Sequence, residues 1–479
     1  MRWATGLVLV GLLSGCGGAI TDSPILSAAL PDDVDAKAAA FEPPNSPEHN
    51  KLLATYGGAY ENERMALAVN GIVSRLVAHS QEPNRAVRLT ILNSPAVNAF
   101  ALPSGDLYLT RGLITLAGDE SELAAVIAHE LGHVTADHAR LRQRQARAAA
   151  LARRVSDVVA DPTIKLETRE TADLSLATFS QRQEFQADEM GVRTLARAGY
   201  DPFAAARFLG SMARYASLPA LSTTGGSKAD FLSSHPTTPA RVANARRVAR
   251  GYAAPGIGRT GREDYLKILD GALYADDPRQ GYVRGREFIH VDFAIAFEVP
   301  ENYVLKNTSE AVLATDGQHT AIRFDTVAPP KGQSPEAYLA SGWVKGLIPE
   351  SIRTETVGGL DAALGSAVVD GWSFRIAAIR GPDRMYRFVF ASSKPASAYE
   401  AGFLKTVESF RKLTRSEVTK VRPLRIKIAT VTERDTIQSL SAQMDGVEDA
   451  LKRPLFETLN GLSAERALHP GMKVKLVKA

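Results

Sequence analysis

Residues 126–138 read Val-Ile-Ala-His-Glu-Leu-Gly-His-Val-Thr-Ala-Asp-His. In a helix, His129 and His133 project from one face and aim both imidazoles at a common point. Glu130, beside the first histidine, can then reach a water on a metal held there rather than the metal itself. H-E-x-x-H on a helix is the arrangement of a zinc hydrolase, in which two neutral imidazoles begin a tetrahedral site. Local sequence supports the helix. Asp119 is placed as N-cap with Glu122 in a capping-box arrangement, and Leu123, Ile127 and Leu131 recur every fourth residue. Gly132 costs about 1 kcal/mol against Ala in a helix interior, and it permits close backbone approach beside the metal. A surface helix with two incidental histidines is the plainer alternative.

A chain of 479 residues exceeds one typical core, so two to four domains are expected. With 45% hydrophobic and 23% charged residues it is ordinary globular material, neither disordered nor polytopic. The net charge of +4 is weakly basic, and its densest stretch holds Arg140, Arg142, Arg144, Arg147, Arg153 and Arg154. A solvated helix face explains that stretch most simply, a contact to anionic lipid or polymer less so. No nucleic-acid motif accompanies it, so no nucleic-acid partner is expected.

Residues 1–16 have signal-peptide proportions: a short positive start at Met1-Arg2-Trp3 and an apolar run too short to span a bilayer. They end in Leu13-Ser14-Gly15-Cys16, which resembles a bacterial lipobox. Cys16 is the sole cysteine, which excludes an intramolecular disulfide and makes it the expected site of lipid attachment. No Asp follows it, so the expected address is the periplasmic face of the outer membrane. Residues 17–50, rich in Ala, Pro, Asp and Ser, read as a tether.

From 51 to 80 the pattern is helical, with Ala66, Val69, Ile72, Val73, Leu76 and Val77 on one stripe. Residues 87–92 alternate as a strand. Asn98, Ala99 and Phe100 then open two short strands around a Pro-Ser-Gly-Asp turn. An edge strand here could pair with an extended substrate, or serve simply as sheet core. After His138 the metal helix is expected to continue through an Arg- and Ala-rich stretch. A second helix from about 169 carries Glu184 and Asp188 on one face. Glu184 is the candidate third ligand, because two His and one carboxylate plus water is a known catalytic zinc set. Asp188, one turn on, could accept the free ring N–H of a ligand histidine and fix its tautomer.

Asn98-Ala99-Phe100 with its Pro-x-Gly turn, His129-Glu130-x-x-His133, Glu184-x-x-Ala187-Asp188, and Ser234-His235-Pro236 with Arg241 occur in that order. Together they resemble the zinc metallopeptidase family that contains the CAAX prenyl endopeptidases and the periplasmic beta-barrel-assembly-enhancing proteases. The resemblance covers roughly residues 50–250. It implies a mainly helical zincin-like fold with a small sheet, endopeptidase activity on proteins or peptides, and one zinc per chain on His129, His133 and Glu184. It also implies that His235 and Arg241 lie near the substrate carbonyl. The chain lacks both the membrane helices and the 34-residue helical repeats of some members, so their substrates do not transfer.

The domains expected are a leader (1–16), tether (17–50), metallopeptidase (51–250), linker with one short helical patch (251–282), α+β domain (283–413) and a closing domain (424–479). In the α+β domain, strands are read over 288–299, 320–327, 362–369, 372–380 and 385–391, with helices over 334–343 and 398–410. That is a five-strand sheet with helices against it. The phrase opening at Phe288 faintly resembles PsbP/Mog1-like modules, and the isolated His290 and His319 are ordinary strand or loop positions. Residues 424–479 resemble a LysM βααβ module, with Asp435-Thr436 before a helix, Asn460-Gly461-Leu462, and a final strand after Pro470-Gly471. Glu433-Arg434 departs from that pattern, which leaves peptidoglycan binding open against a plain capping role. The reading as a whole is a lipid-anchored zinc endopeptidase acting on misfolded or stalled envelope proteins, with Glu130 as general base. Its rival is an envelope chaperone or peptidoglycan-binding adaptor with a closed or silent zinc site.

Overall fold

The computed structural model describes residues 46–157, 162–218, 235–308, 310–328, 332–393, 399–463 and 467–479, with the backbone course alone over 148–179. Cys16, the leader, most of the tether and the Gly225-Gly226 pair lie outside the described residues. It has a helix-rich N-terminal half and a large antiparallel sheet region.

Helix α1 (Pro47–Thr55) opens where the Ser46 hydroxyl accepts from the amide of His49. It ends before Gly57 and Gly58, both at positive φ, so the helical stretch expected over 51–80 is two helices. The second, α2 (Glu63–Ala78), restarts at Asn62 and buries Met65, Val69, Ile72, Val73, Leu76 and Val77. Strands β1 (Arg88–Leu92), β2 (Ala99–Ala101) and β3 (Asp106–Thr110) form a sheet in the order β1-β3-β2, so β2 is an edge strand. It runs antiparallel to β3, with Phe100 opposite Tyr108. Then come α3 (Arg111–Leu116), α4 (Glu120–Thr135), α5 (His138–Asp157), α6 (Pro162–Arg197), α7 (Ala204–Ser217), α8 (Pro239–Arg250) and α9 (Arg262–Leu269).

Helix α4 is central because its sequence leaves it no solvent face. Every residue from Ser121 to His133 is buried, as suits a helix that is apolar most of the way round. The Asp119 side chain caps it by accepting from the Glu122 amide. The Glu122 carboxylate reaches back one residue further than a capping box requires, accepting from the Gly118 amide at 2.8 Å.

Between helices and C-terminus lie two antiparallel sheets. Strands β4 (Tyr282–Arg284), β5 (Glu287–His290), β6 (Ile295–Glu298) and β14 (Arg411–Lys412) make one, in the order β14-β6-β5-β4. The other comprises β7 (Val304–Asn307), β8 (Val312–Thr315), β9 (Thr320–Val327), β10 (Leu347–Val357), β11 (Leu360–Val369), β12 (Trp372–Arg380) and β13 (Met385–Ser392). Its order is β10-β11-β12-β13-β9-β8-β7, seven strands where the sequence pointed to a five-strand sheet. The run expected over 288–299 is two strands, turned at Ala294 with φ 50°. Aromatic rings fill the space between the sheets, with Phe324 at 4.7 Å from Phe297 and 4.8 Å from Phe388 between centroids.

The closing segment runs β15 (Arg425–Thr430), two helices (Ile437–Ala442 and Asp449–Asn460) and β16 (Lys473–Lys478), with β15 antiparallel to β16. It does not stand apart from the helical half. One hydrophobic core takes in Met65 and Ile127, then Leu266 of α9, then Ile426, Phe456 and Val477. Lys475, wholly buried, donates to the carbonyls of Thr115 at 2.8 Å, Leu116 at 3.2 Å and Ala117 at 2.8 Å. Those are carbonyls at the C-terminal end of α3, where a helix leaves acceptors unfilled and favours a cation. Two residues later stands Asp119, the cap of α4. Lys475→Met should therefore destabilise the chain by about 3 kcal/mol, since three buried carbonyls lose their donor. Urea unfolding of the variant beside the parent checks this, and an unchanged midpoint would refute the clamp.

Candidate metal centre

Two helices bring the donors together. Gly132 of α4 faces α6, where an added Cβ would lie 3.2 Å from the Ala187 carbonyl oxygen and 3.3 Å from its Cα. Gly191 of α6 returns the contact, its absent Cβ 3.2 Å from the His129 nitrogen. Each glycine lets the other helix's backbone approach, so the close packing expected of Gly132 is a contact between the two donor-bearing helices.

At that crossing His129, His133, Glu184 and His235 each offer one donor atom, all within 4.8 Å of one another and all buried. His129 Nε2 is 3.0 Å from His133 Nε2 and 3.3 Å from His235 Nδ1. The Glu184 carboxylate closes the group, 3.3 Å from His133 Nε2 and 3.0 Å from His235 Nδ1. Three imidazoles and a carboxylate converging in a buried space are a donor set that could hold a cation. The nitrogen and oxygen set suits a borderline metal such as zinc.

The outer atoms of both α4 histidines are held as well. His129 Nδ1 lies 2.9 Å from Asp188 Oδ1. His133 Nδ1 is 2.8 Å from His138 Nδ1, and His138 Nε2 is 3.2 Å from Gln186 Oε1. His138 had no role in the sequence reading, although it stands in the same Val-Thr-Ala-Asp-His run. The expected continuous helix would aim it away from His133. Instead α4 stops at Ala136, and Asp137 at φ 54° turns the chain so that α5 begins with His138 folded back.

Arg241 sits behind the donors. It is buried and donates Nε to Asp188 Oδ2 at 2.8 Å and Nη2 to Asp188 Oδ1 at 2.7 Å. Its Nη1 lies 2.9 Å from Glu184 Oε2. The guanidinium thus holds both carboxylates, and Arg241 is not among the residues lining the pocket beside the donors. Thr238 caps α8 over the Arg241 amide, with Pro239 in the first turn, which fixes where that side chain starts. Among these groups, burial disfavours charge on His129, yet Asp188 and Glu184 outweigh it and raise its pKa to about 9. Burial dominates at His133 and lowers it to about 3. Burial opposes ionisation of Glu184, but its three histidine contacts hold it well below the usual carboxylate range. Burial raises Glu130.

A pocket of about 340 Å³ opens onto this group, with Glu130, His133 and His235 in its wall. Asn98 and Phe100 form another side. Phe100 stacks on Tyr108 at 5.0 Å and meets Tyr56 at 5.8 Å, while Asn98 Nδ2 donates to Tyr56 Oη at 2.9 Å. Ala99 is buried in β2. Tyr56, from the break after α1, is a pocket residue that no sequence motif marked.

Residues 63–249 match the family model for Peptidase family M48. The chain carries a Peptidase family M48 domain. Beta-barrel assembly-enhancing protease of Escherichia coli is 30% identical over 211 residues, 41% of this chain and 41% of that protein. Mitochondrial metalloendopeptidase OMA1 of Arabidopsis thaliana is 33% identical over 182 residues, 37% of this chain and 36% of that one. Metalloprotease YcaL of Escherichia coli is 26% identical over 254 residues, 50% of this chain and 94% of the other. The chain thus spans about two fifths of the length of the first two relatives. Among solved structures, cyanobacterial PsbP of Synechocystis has a TM-score of 0.23 at 10% identity, covering 26% of this chain and 91% of that one, which supports no conclusion. All four donors of the M48 domain fall within the matched residues.

The geometry offers His235 as a fourth candidate donor. Cobalt(II) loaded into the protein should give a visible spectrum that changes when His235 is replaced by Ala. Identical spectra would remove His235 from the donor set, and no bound cobalt in the parent would remove the site.

Proposed function

We propose that this chain is a zinc-dependent endopeptidase, and the observation that carries the reading is the state of Glu130. Its carboxylate is buried and lines the pocket, and its Oε1 has no hydrogen-bond partner among the described residues. An unmatched buried acceptor is costly, on the order of 1–3 kcal/mol, and a purely structural metal site has no need of one. A general base does need it.

In this proposal His129, His133 and Glu184 hold the zinc, with Asp188 and His138 fixing the histidine tautomers. Zinc when bound lowers the pKa of a water to about 7 and polarises the scissile carbonyl. The substrate lies extended along β2, past Asn98, Ala99 and Phe100, and adds a strand to that edge. Glu130 takes a proton from the attacking water as its oxygen bonds to the carbonyl carbon. It then passes that proton to the amide nitrogen as the C–N bond breaks. His235 must leave the donor group for substrate to enter, and its freed imidazole can then donate to the oxyanion. Arg241 keeps Glu184 and Asp188 in place throughout.

A second reading draws on the same four donors. Four nitrogen and oxygen ligands without an open position describe a structural zinc site, which fits a chaperone or adaptor with silent chemistry. Glu130 weighs against it. We therefore read the four-donor arrangement as a resting state of the peptidase, with His235 as the plug.

We further propose an envelope address, with lipid on Cys16 holding the chain to the periplasmic face of the outer membrane. Support comes from the lipobox-like sequence and from the names of the bacterial relatives. Among the described residues no helix is long and apolar enough to cross a membrane. Misfolded or stalled envelope proteins are the proposed substrates. The strand, helix, helix, strand order of the closing segment supports a LysM-like fold, with peptidoglycan as its candidate ligand.

Glu130→Gln should keep its metal and lose casein hydrolysis by about a thousandfold, because the ligands stay and the base goes. Metal analysis run beside the protease assay separates the two effects, and undiminished turnover would refute the mechanism. Cys16→Ser should remove acyl labelling and release the chain from outer-membrane fractions. Retention there with unaltered mobility would show that Cys16 is not the anchor.

A further inference from the structure

The pocket wall runs from β2 past His133 and Val134 to the turn after α4, and ends on Asp137, Ala139 and Arg142. Most of that wall is apolar or already paired. Asp137 is taken by Arg140, its neighbour across the turn. Arg142 differs. It is half-buried in the pocket wall, and among the described residues its guanidinium has no hydrogen bond and no ion pair. It lines the same pocket as Glu130, His133 and His235.

The helix that carries it is rich in arginine. Residues His138–Asp157 of α5 include Arg140, Arg142, Arg144, Arg147, Arg153 and Arg154, and no acid before Asp157. Arg144 and Arg147 are exposed and likewise have no acidic partner among the described residues. Arg142 is the one cationic side chain among the described residues of the pocket wall, and a guanidinium fork matches a carboxylate in two parallel hydrogen bonds. A half-buried cation left without a partner in the free protein is the kind of group a ligand completes.

We propose that Arg142 is a specificity-determining residue that receives a carboxylate of the substrate, while the apolar part of the same stretch packs against Tyr56 and Phe100. Two sources supply that group, an Asp or Glu side chain near the cleaved bond and the free C-terminus of a short chain. Both present the same planar pair of oxygens. The proposal rests on the endopeptidase reading and names the substrate chemistry that this reading leaves open.

The test uses full-length, zinc-loaded protein and internally quenched peptides made in matched pairs. One series exchanges Glu for Gln at each position around the cleaved bond, and the other exchanges a free C-terminal acid for an amide. The parent should favour the acidic member of a pair by about tenfold in kcat/KM, as a charge-assisted hydrogen bond allows. That ratio should fall to about one in Arg142→Gln and invert toward Lys-bearing peptides in Arg142→Glu. A preference confined to the Glu series assigns the side chain, and one confined to the free-acid series assigns the chain end. A ratio of one in the parent, or a ratio that survives Arg142→Gln, overturns the proposal while leaving the peptidase reading intact. The same pairs titrated by fluorescence anisotropy into Glu130→Gln protein, with and without Arg142→Gln, make the two readings separable. If the parent cleaves no peptide yet Glu130→Gln still prefers the acid through Arg142, the peptidase reading fails and the carboxylate site stands. If Arg142→Gln weakens only attachment to phosphatidylglycerol vesicles and leaves both peptide ratios unchanged, the arginine serves a lipid surface and the proposal is overturned.

Discussion

Charge balance at the crossing of α4 and α6 is the constraint on which the rest depends. Glu130, Glu184 and Asp188 are all buried within one small volume, and a single guanidinium, Arg241, is buried among them. Isolated buried carboxylates are far too costly to leave unmatched, and one arginine neutralises one of the three. A divalent cation on the histidine side would offset the remainder. The arrangement therefore fits a metal site, with Arg241 behind the donors. Placed in the pocket, the arginine would leave Asp188 unpaired next to His129 and would compete with the cation for Glu184.

Such a site demands rigid helices, and distant parts of the chain supply the rigidity. The crossing needs Gly132 and Gly191 at the contact, so its geometry tolerates no slippage that would bring a side chain between the backbones. The start of α4 is fixed by Asp119, and the turn before it by Lys475, whose ammonium binds carbonyls some 360 residues earlier in sequence. On the other side, Arg207 of α7 reaches Asp119 at 3.3 Å and Ser121 Oγ at 3.1 Å, so the helix start is held from two directions. Arg111, buried just after β3, donates to Asn93 Oδ1 at 2.9 Å and to the Leu273 carbonyl at 3.3 Å, which ties the small sheet to the segment that leads into the β region. The metal helix is thus anchored by residues that no local motif contains.

How much of this could be read from sequence follows from how local each signal is. Helix α4 was legible because its apolar residues leave no polar face and its cap lies within four residues. Strands β9 and β12 were legible to the residue, β9 by its alternation and β12 as an apolar run, both bounded by turn signals. Strand β10 was not: most of its residues are exposed, it carries Pro349, and its register shifts between Ile348 and Arg353, so no burial period survives. His138 was hidden for a different reason. Its role depends on Asp137 taking a left-handed conformation, and a residue that both caps and continues helices gives no warning of that. Arg241 was visible as a motif residue but not in its partners, because ion pairing across helices is a tertiary fact.

The presence of His235 in the donor set sharpens the question of what Glu130 is for. Its Nε2 stands 3.6 Å from Glu130 Oε1, beyond hydrogen-bond reach, while its Nδ1 is spent on Glu184 and His129. A site selected for structure alone would gain by closing that last gap, satisfying the carboxylate and adding a charge-assisted hydrogen bond. It would gain as much by replacing the glutamate with an apolar residue of similar size. Neither has happened. The unsatisfied oxygen belongs to a residue of the pocket wall, beside the space where a water and a scissile bond would sit. Four converging donors beside a Glu130 oxygen that lacks a partner are what the proposed restrained peptidase would require, with ligand exchange at His235 as the proposed step that separates rest from work.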